Sequence, residues 1–254
     1  MTSQPDQRPV ALITGASRGI GAATARELAR RGYALALAAR TTDDLQALAA
    51  ELSAAGSPAL PIPTDMCRSE QVQRLARLAL DHFGRVDVLV NNAGIGGKER
   101  PVARLDDDYA QAVMATNLLA PIELTRALLP GMLERRRGAI VFIASVAGHI
   151  GLPGSALYST TKFGLRGFAS ALRREVKRQG IGVTIVSPGF IATAMNEGLR
   201  GIPMPQPLVV ARVVANAIER PRREVVVPRA YRVAIWFERM LPGLVDAALR
   251  LGGR

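Results

Sequence analysis

Tyr158 and Lys162 stand four residues apart, a spacing that sets two side chains on one face of a helix. An ammonium held about 4 Å from a phenol favours the phenolate by about 4 kcal/mol at an effective dielectric near 20. That would pull a tyrosine down from about 10 by as much as roughly three units. A tyrosine near neutrality can hand a proton to a ketone oxygen as hydride reaches the carbon. Ser145 closes the apolar run G-A-I-V-F-I-A-S at 138–145, and a strand-end hydroxyl can donate to the same oxygen and steady its developing charge. Taken singly, each has a plainer reading: Tyr158 an interface tyrosine, Lys162 a solvated helix residue, Ser145 an ordinary strand-end serine.

A second constellation lies near the N-terminus, where residues 10–21 read V-A-L-I-T-G-A-S-R-G-I-G. An apolar strand, a turn on Gly15, Gly19 and Gly21, and a helical pattern at 22–31 together present free backbone N–H groups to a phosphate. Gly15 can adopt a turn conformation closed to other residues, and Gly19 and Gly21 allow backbone and ligand to approach closely.

The elements that must carry these residues alternate along the chain. After the first strand and helix come a strand at 33–39, a helix at 43–55, a proline-bounded outer strand at 59–63 and a helix at 69–83 stopped by Gly84. A fourth strand at 86–90 runs into Asn91-Asn92-Ala93-Gly94, and a long helix at 106–133 should be kinked by Pro121. A strand at 138–145, a helix at 155–179 closed by Gly180, a strand at 182–189, a loop at 191–207, a helix at 208–219, a strand at 224–228 and a helical tail at 229–251 follow. The strands are mostly unbroken apolar runs, which predicts an α/β fold with a parallel sheet covered on both faces. Right-handed crossovers make a doubly wound sheet of seven strands the natural topology, with ligands beyond the strands' C-terminal ends. No linker or repeat interrupts the pattern, so residues 1–254 read as one domain, with 229–254 an amphipathic helical extension.

Bulk properties narrow the function classes. The 254 residues are 48% hydrophobic and carry one cysteine, Cys67, so a disulfide framework and a cysteine metal cluster are excluded within one chain. No uninterrupted apolar run is long enough to predict a spanning helix, and the polar residues 1–9 lack a signal core, so a cytoplasmic protein is expected. The net charge is +12 with only 4% aromatics. A nucleic-acid binder is one reading of that charge, but no basic run interleaves with aromatics as single-strand binding would favour; the other readings are a merely arginine-rich composition, or attraction to anionic cofactors, acidic carriers or anionic lipid.

Thr14–Gly21, Asn91–Gly94, Asn117, Ser145, Tyr158-x-x-x-Lys162 and Ser187-Pro188-Gly189 occur in that order along the chain. The chain resembles the short-chain dehydrogenase/reductase family in its compact branch, over roughly residues 8–228. The resemblance implies a single-domain Rossmann-like fold and a catalytic tetrad of Asn117, Ser145, Tyr158 and Lys162. It implies that Lys162 also holds the nicotinamide ribose and that Asn117 holds a water linking Lys162 to solvent. Cofactor contacts are implied at Gly15, Ser17, Arg18, Gly19, Ile20 and Gly21, at Asp65 and Met66 beside the adenine, at Asn91, Ala93 and Gly94 on the adenosine side, and at Pro188, Gly189, Ile191 and Thr193 around the nicotinamide. Asp65 alone would pass for a turn aspartate.

Cofactor choice follows from the end of the second strand, where an acidic residue would bind a ribose 2′-hydroxyl. Here the chain reads Ala38-Ala39-Arg40-Thr41. Arg40 and Arg18 can pair with a 2′-phosphate, so NADP(H) is expected. Met195, Leu199, Ile202, Met204 and Leu208, with Arg200 among them, should form an apolar lid, and Val146, His149, Ile150 and Leu152 further pocket surface, selecting a largely apolar carbonyl or alcohol. His149 is expected in the pocket or on the surface, outside the acid–base chemistry. The expected function is reversible hydride transfer between NADP(H) and a ketone or aldehyde–alcohol pair; the alternative is a non-catalytic dinucleotide-sensing protein on the same fold. No metal is expected, no nucleic acid, and a homodimer or homotetramer by resemblance. In the tail, Val233, Trp236, Phe237, Met240, Leu241, Leu244, Val245 and Ala248 form an apolar stripe, with Arg229, Arg232, Arg239, Arg250 and Arg254 off it or at its ends. It would pack on the substrate region, contact another subunit, or lie on a membrane surface as a peripheral contact.

Overall fold

The computed structural model describes residues 8–96, 101–198, 201 and 203–252. Apolar pentads and hexads form β1 (Val10–Thr14) and β2 (Ala34–Ala39), every residue of which is buried. Helix α1 (Gly19–Arg30) lies between them, and α2 (Thr42–Ala54), β3 (Ala59–Pro63), α3 (Ser69–Phe83) and β4 (Val88–Asn91) follow. Then come α4 (Asp107–Met114), α5 (Ala120–Glu134), β5 (Gly138–Ile143), α6 (Ala156–Val176), β6 (Ile181–Pro188), α7 (Pro207–Glu219), β7 (Glu224–Val227), α8 (Tyr231–Met240) and α9 (Pro242–Gly252).

The strands form one seven-stranded sheet in the order β3-β2-β1-β4-β5-β6-β7, and every neighbouring pair is parallel. Helices α1, α2 and α7 bury Leu28, Leu45 and Val214 against one face. Helices α3, α5 and α6 bury Leu75, Leu124 and Leu172 against the other. The winding reverses between β1 and β4, so a crevice opens at their C-terminal ends, where doubly wound sheets bind ligands. β3 sits on the outer edge, where no further strand needs the N–H groups that Pro61 and Pro63 lack.

Two expectations change. Helix α1 begins at Gly19, inside the glycine turn, so the last two glycines belong to its first turn. The stretch 106–133 is one continuous helix, 107–134, as expected, but its irregularity is a wide π turn at Ala115–Leu119 that joins α4 to α5, with Pro121 just beyond it. The tail is interrupted at Pro242, which starts the second of its two helices.

By length and mean hydropathy, 1.2, the stretch 107–134 would suffice to cross a membrane, but 44% of that window is buried inside the protein. Leu124, Leu128 and Met132 place it in the core beside β5.

Candidate active site

The switch-point crevice is built by side chains that tie β1 to β4. Thr14 Oγ1 accepts the backbone N–H groups of Asn92 and Ala93, both at 3.0 Å. Asn92 Nδ2 donates to the carbonyls of Thr14, at 2.8 Å, and Gly15, at 3.1 Å. Gly15 has φ +64°, and a Cβ there would meet Ala93 Cα and Asn92 Nδ2 at 2.9 Å. A Cβ on Gly21 would sit 2.0 Å from the Gly15 carbonyl oxygen. So Gly21 is required by the fold of the turn itself, whereas the sequence suggested room for a ligand. Gly19, at φ +58°, faces Thr193 at 3.3 Å, which brings the segment after β6 over the glycine turn.

At the C-terminal end of β2, the Ala38 carbonyl accepts the N–H of Ala16 in the glycine turn, at 3.0 Å. Arg40 follows directly. Arg18 and Arg40 are both exposed, and among the described residues neither has an ion-pair partner. Two free guanidinium groups beside a turn of backbone donors, with no carboxylate at the strand end, fit a phosphorylated dinucleotide.

The remaining adenosine-side residues are more occupied than expected. Asp65 Oδ1 accepts the N–H of Cys67 at 3.0 Å, a local turn, while its backbone N–H goes to Gln71. Met66 is buried, in the same apolar cluster as Val72 and Leu75. Asn91 is buried and donates to Thr125 Oγ1 at 3.4 Å, leaving its Oδ1 without a partner among the described residues. Ser17 and Ile20 are half-buried in the turn. Ile191 is buried in the core, and Gly189 donates its N–H to the Val227 carbonyl at 2.8 Å.

The side chains expected to react gather on the far side of the crevice. Lys162, buried on α6, donates from Nζ to the Ile143 carbonyl at 3.0 Å, and its Nζ is 5.5 Å from the Tyr158 ring centroid. A Cβ on Gly94 would lie 3.6 Å from Lys162 Nζ and 3.4 Å from Asn117 Oδ1. A Cβ on Gly96 would touch Tyr158 Cδ2 at 2.8 Å. The Ser145 hydroxyl accepts the N–H of Ala147 at 3.1 Å and interacts with the Tyr158 phenol.

Electrostatics here depart from the expectation. Burial pushes the Tyr158 phenol up, with the Ser145 hydroxyl pulling it partly back; Lys162 does not lower it in the protein alone. The same burial brings Lys162 down from 10.5 to about 8. Tyr158 therefore keeps its proton at neutral pH, and Lys162 is still largely an ammonium there.

Asn117 is fully buried in the π turn. Its Oδ1 accepts the Ile95 N–H at 2.8 Å, and its Nδ2 donates to the Ile95 carbonyl at 2.9 Å and to Thr161 Oγ1 at 3.3 Å. The side chain therefore fixes the backbone beside Gly94 and Gly96. Its main-chain carbonyl has lost the usual donor four residues on, because that residue is Pro121.

A cluster invisible in the motifs lies behind this group. Glu224 on β7 accepts from His149 Nε2 at 2.7 Å, from Arg166 Nε and Nη2 both at 2.9 Å, and from Ser187 Oγ at 2.7 Å. Arg166 Nη1 also donates to the Gly148 carbonyl at 2.6 Å. Burial raises the Glu224 carboxyl, but the bonds from His149, Arg166 and Ser187 outweigh it and hold it well below the usual carboxylate range. His149, expected in the pocket, is thus a buried structural partner, and Ile150 is buried as well. Sequence reading also missed Tyr231, whose ring fills the space a Cβ on Gly189 would take, 2.1 Å from Cε2.

Of the apolar lid, Met195 and Leu208 are exposed and Met204 is half-buried. Leu199, Arg200 and Ile202 lie outside the described residues, as does Arg254 of the tail. A cavity of about 900 Å³ opens elsewhere, between Leu152, Pro153 and Phe163 and the α9 residues Asp246 and Leu249. None of Asn117, Ser145, Tyr158 and Lys162 lines it. The tail does not cover its own stripe: Ile235 is the buried residue of α8, and Val233, Trp236, Phe237 and Met240 are exposed.

Comparison with known proteins agrees with this geometry. A family model described as short chain dehydrogenase matches residues 9–201. The 3-oxoacyl-[acyl-carrier-protein] reductase of Synechocystis sp. is 41% identical over 204 residues, covering 80% of this chain and 82% of that protein. Among solved structures, a metagenomic short-chain oxidoreductase in complex with NADP is 37% identical with a TM-score of 0.76, over 86% of this chain and 96% of that one. An actinorhodin polyketide ketoreductase variant with NADPH is 33% identical with a TM-score of 0.80, over 87% and 95%.

Proposed function

The chain belongs to the short-chain dehydrogenase family, and from that premise we propose that Tyr158, Ser145, Lys162 and Asn117 catalyse the reduction of a largely apolar ketone or aldehyde to its alcohol. It is an NADP(H)-dependent oxidoreductase acting on C=O and CH–OH groups. When bound, NADPH supplies the hydride.

Gly15, Ser17, Arg18, Gly19, Ile20 and Gly21 bind the pyrophosphate and, with Arg40, the 2′-phosphate. Asp65, the backbone at Met66, Asn91, Ala93 and Gly94 take the adenosine half. Pro188, Gly189, Ile191 and Thr193 take the nicotinamide half. Ser145 donates a hydrogen bond to the substrate oxygen and fixes it against the phenol. Tyr158 gives that oxygen its proton as charge develops there. Lys162 holds the ribose hydroxyls and stabilises the phenolate that Tyr158 leaves behind. A water on the Asn117 carbonyl returns a proton from solvent through Lys162.

The observation that carries this reading is the meeting of Lys162 Nζ, Asn117 and the Tyr158 ring around Gly94 and Gly96. The relative from Synechocystis sp. is named a 3-oxoacyl-[acyl-carrier-protein] reductase, so 3-oxoacyl thioesters are the first substrates to assay. A homodimer or homotetramer in the cytoplasm completes the reading; light scattering on a sizing column tests the assembly.

Tyr158→Phe tests the chemistry. Removing a positioned proton donor costs roughly 10²–10⁴-fold in rate. The variant should lose NADPH-driven carbonyl reduction by that order and still bind NADPH, read by nucleotide fluorescence. Retained turnover would falsify the assigned donor.

A further inference from the structure

Helix α8 turns its apolar side away from the protein. Val233, Trp236, Phe237 and Met240 recur at three- and four-residue spacing, and Leu241 and Leu244 continue the series into α9. Their exposures run from 39% at Phe237 to 61% at Leu244. Six of the twelve large hydrophobic side chains exposed among the described residues fall in this short stretch, which makes a patch and not a scatter. Ile235, on the opposite side of α8, is buried, and Tyr231 packs on Phe190 with ring centroids 6.5 Å apart. The helix is therefore anchored by its back, and the stripe is held outward by the fold.

The charges beside the stripe have a consistent sign. At about 100° per residue, Arg232 and Arg239 fall together on one flank of it, and Arg229 precedes it. All three are exposed, and among the described residues none forms an ion pair. Glu238, the acid of α8, lies toward the opposite flank and is half-buried. A helix with Trp, Phe and Met on one side and arginines at the border of that side lies in the plane of a bilayer surface, with its cations at the phosphate level. The whole chain, at +12, is drawn the same way. A second copy fits less well: an antiparallel pair of α8 helices would set arginine flank against arginine flank.

We propose that α8 and the start of α9 form a docking surface for anionic lipid membranes, seating Val233, Trp236, Phe237, Met240, Leu241 and Leu244 at the headgroup boundary and Arg229, Arg232 and Arg239 against lipid phosphates. This is independent of the catalytic assignment, because none of these residues belongs to the crevice.

Trp236 is the only tryptophan in the chain, so its emission reports on the patch directly. The full-length protein is mixed at low salt with phosphatidylcholine vesicles containing about one third phosphatidylglycerol, or with phosphatidylcholine alone. The anionic vesicles should shift Trp236 emission to the blue, expose it to quenching by brominated acyl chains and carry the protein down on sedimentation. Arg232→Glu with Arg239→Glu should weaken that binding at least about tenfold, and Met240→Ser with Leu244→Ser should abolish it, both with soluble carbonyl reduction unchanged. Three results overturn the proposal: no shift with anionic vesicles, equal binding to the neutral ones, or a blue shift that appears without lipid as protein concentration and mass rise together. The last identifies a second copy as the occupant.

Discussion

Arg166 and Glu224 meet in a two-pronged ion pair, Nε to Oε1 and Nη2 to Oε2, each at 2.9 Å. Arg166 lies one helical turn beyond Lys162. Through the same carboxylate, His149 ties down the segment after Ser145, and Ser187 ties down the end of β6 ahead of Pro188 and Gly189. One side chain on an edge strand thus fixes the three segments that carry the serine, the tyrosine–lysine pair and the proposed nicotinamide contacts.

Glu224→Gln keeps the shape of that side chain and removes its charge. Breaking a buried pair by neutralising one partner strands the other, at a cost of about 3–5 kcal/mol when burial is complete; here partial exposure reduces that. The variant should melt at lower temperature, and its kcat should fall about tenfold while KM for the carbonyl stays near its original value. A stability loss with kcat unchanged would limit Glu224 to a structural role.

Lys162 sets a pH dependence in two measurements. Its ammonium is present below about 8 in the folded protein and below 10.5 in the unfolded chain. Below about pH 8 both states carry the proton, so the cost of burying it is felt in full. As pH rises from about 8 to 10.5, the unfolded chain still binds the proton and the folded one does not, so stability should increase across that window. The kcat/KM for reduction should be flat below about 8 and decline above it, as the charge that supports phenolate formation is lost. Lys162→Met should raise unfolding stability at neutral pH by about 1–3 kcal/mol and abolish turnover. Chemical denaturation and a pH–rate profile check both.

Arg40→Asp places a carboxylate where a 2′-phosphate would sit. With charge-assisted bonds contributing roughly 1.5–3 kcal/mol each, the ratio of kcat/KM for NADPH over NADH should fall about 10- to 100-fold. An unchanged ratio would remove Arg40 from the phosphate site.

Gly96→Ala puts a methyl group 2.8 Å from Tyr158 Cδ2, too close without displacing the ring. Because Gly96 is outside the glycine turn, NADPH binding should persist while kcat drops about tenfold, equivalent to about 1.4 kcal/mol on the barrier. Single-turnover rates with saturating NADPH would separate the two effects.

The fold was legible because most strands are apolar runs and several turns carry their own punctuation, as in Gly84 at φ +74° and Gly180 at φ +79°. The convergence of Ser145, Tyr158 and Lys162 was legible because the tyrosine and the lysine share one helix and Ser145 lies two residues past the end of β5. The Glu224 cluster was not, since its partners lie 58, 75 and 37 residues away and no local spacing records them. Pro121 marked the right place for a break in 106–133 and the wrong cause, because an added residue in a π turn leaves the apolar spacing on either side intact. The tail stripe was plain in sequence, but its direction was not: an apolar period is the same whether the helix faces the core or solvent.

The π turn at Ala115–Leu119 behaves as a one-residue insertion whose removal would be felt at a distance. Deleting a single alanine from it would heal the helix, restoring ordinary four-residue pairing where the wide turn now stands. It would also rotate α4 against α5 by about 100°, the angle of one residue, and swing Asn117 away from Ile95. The irregular turn is thus a phase shift between two otherwise ordinary helices, and the seat of the crevice backbone depends on keeping them out of step.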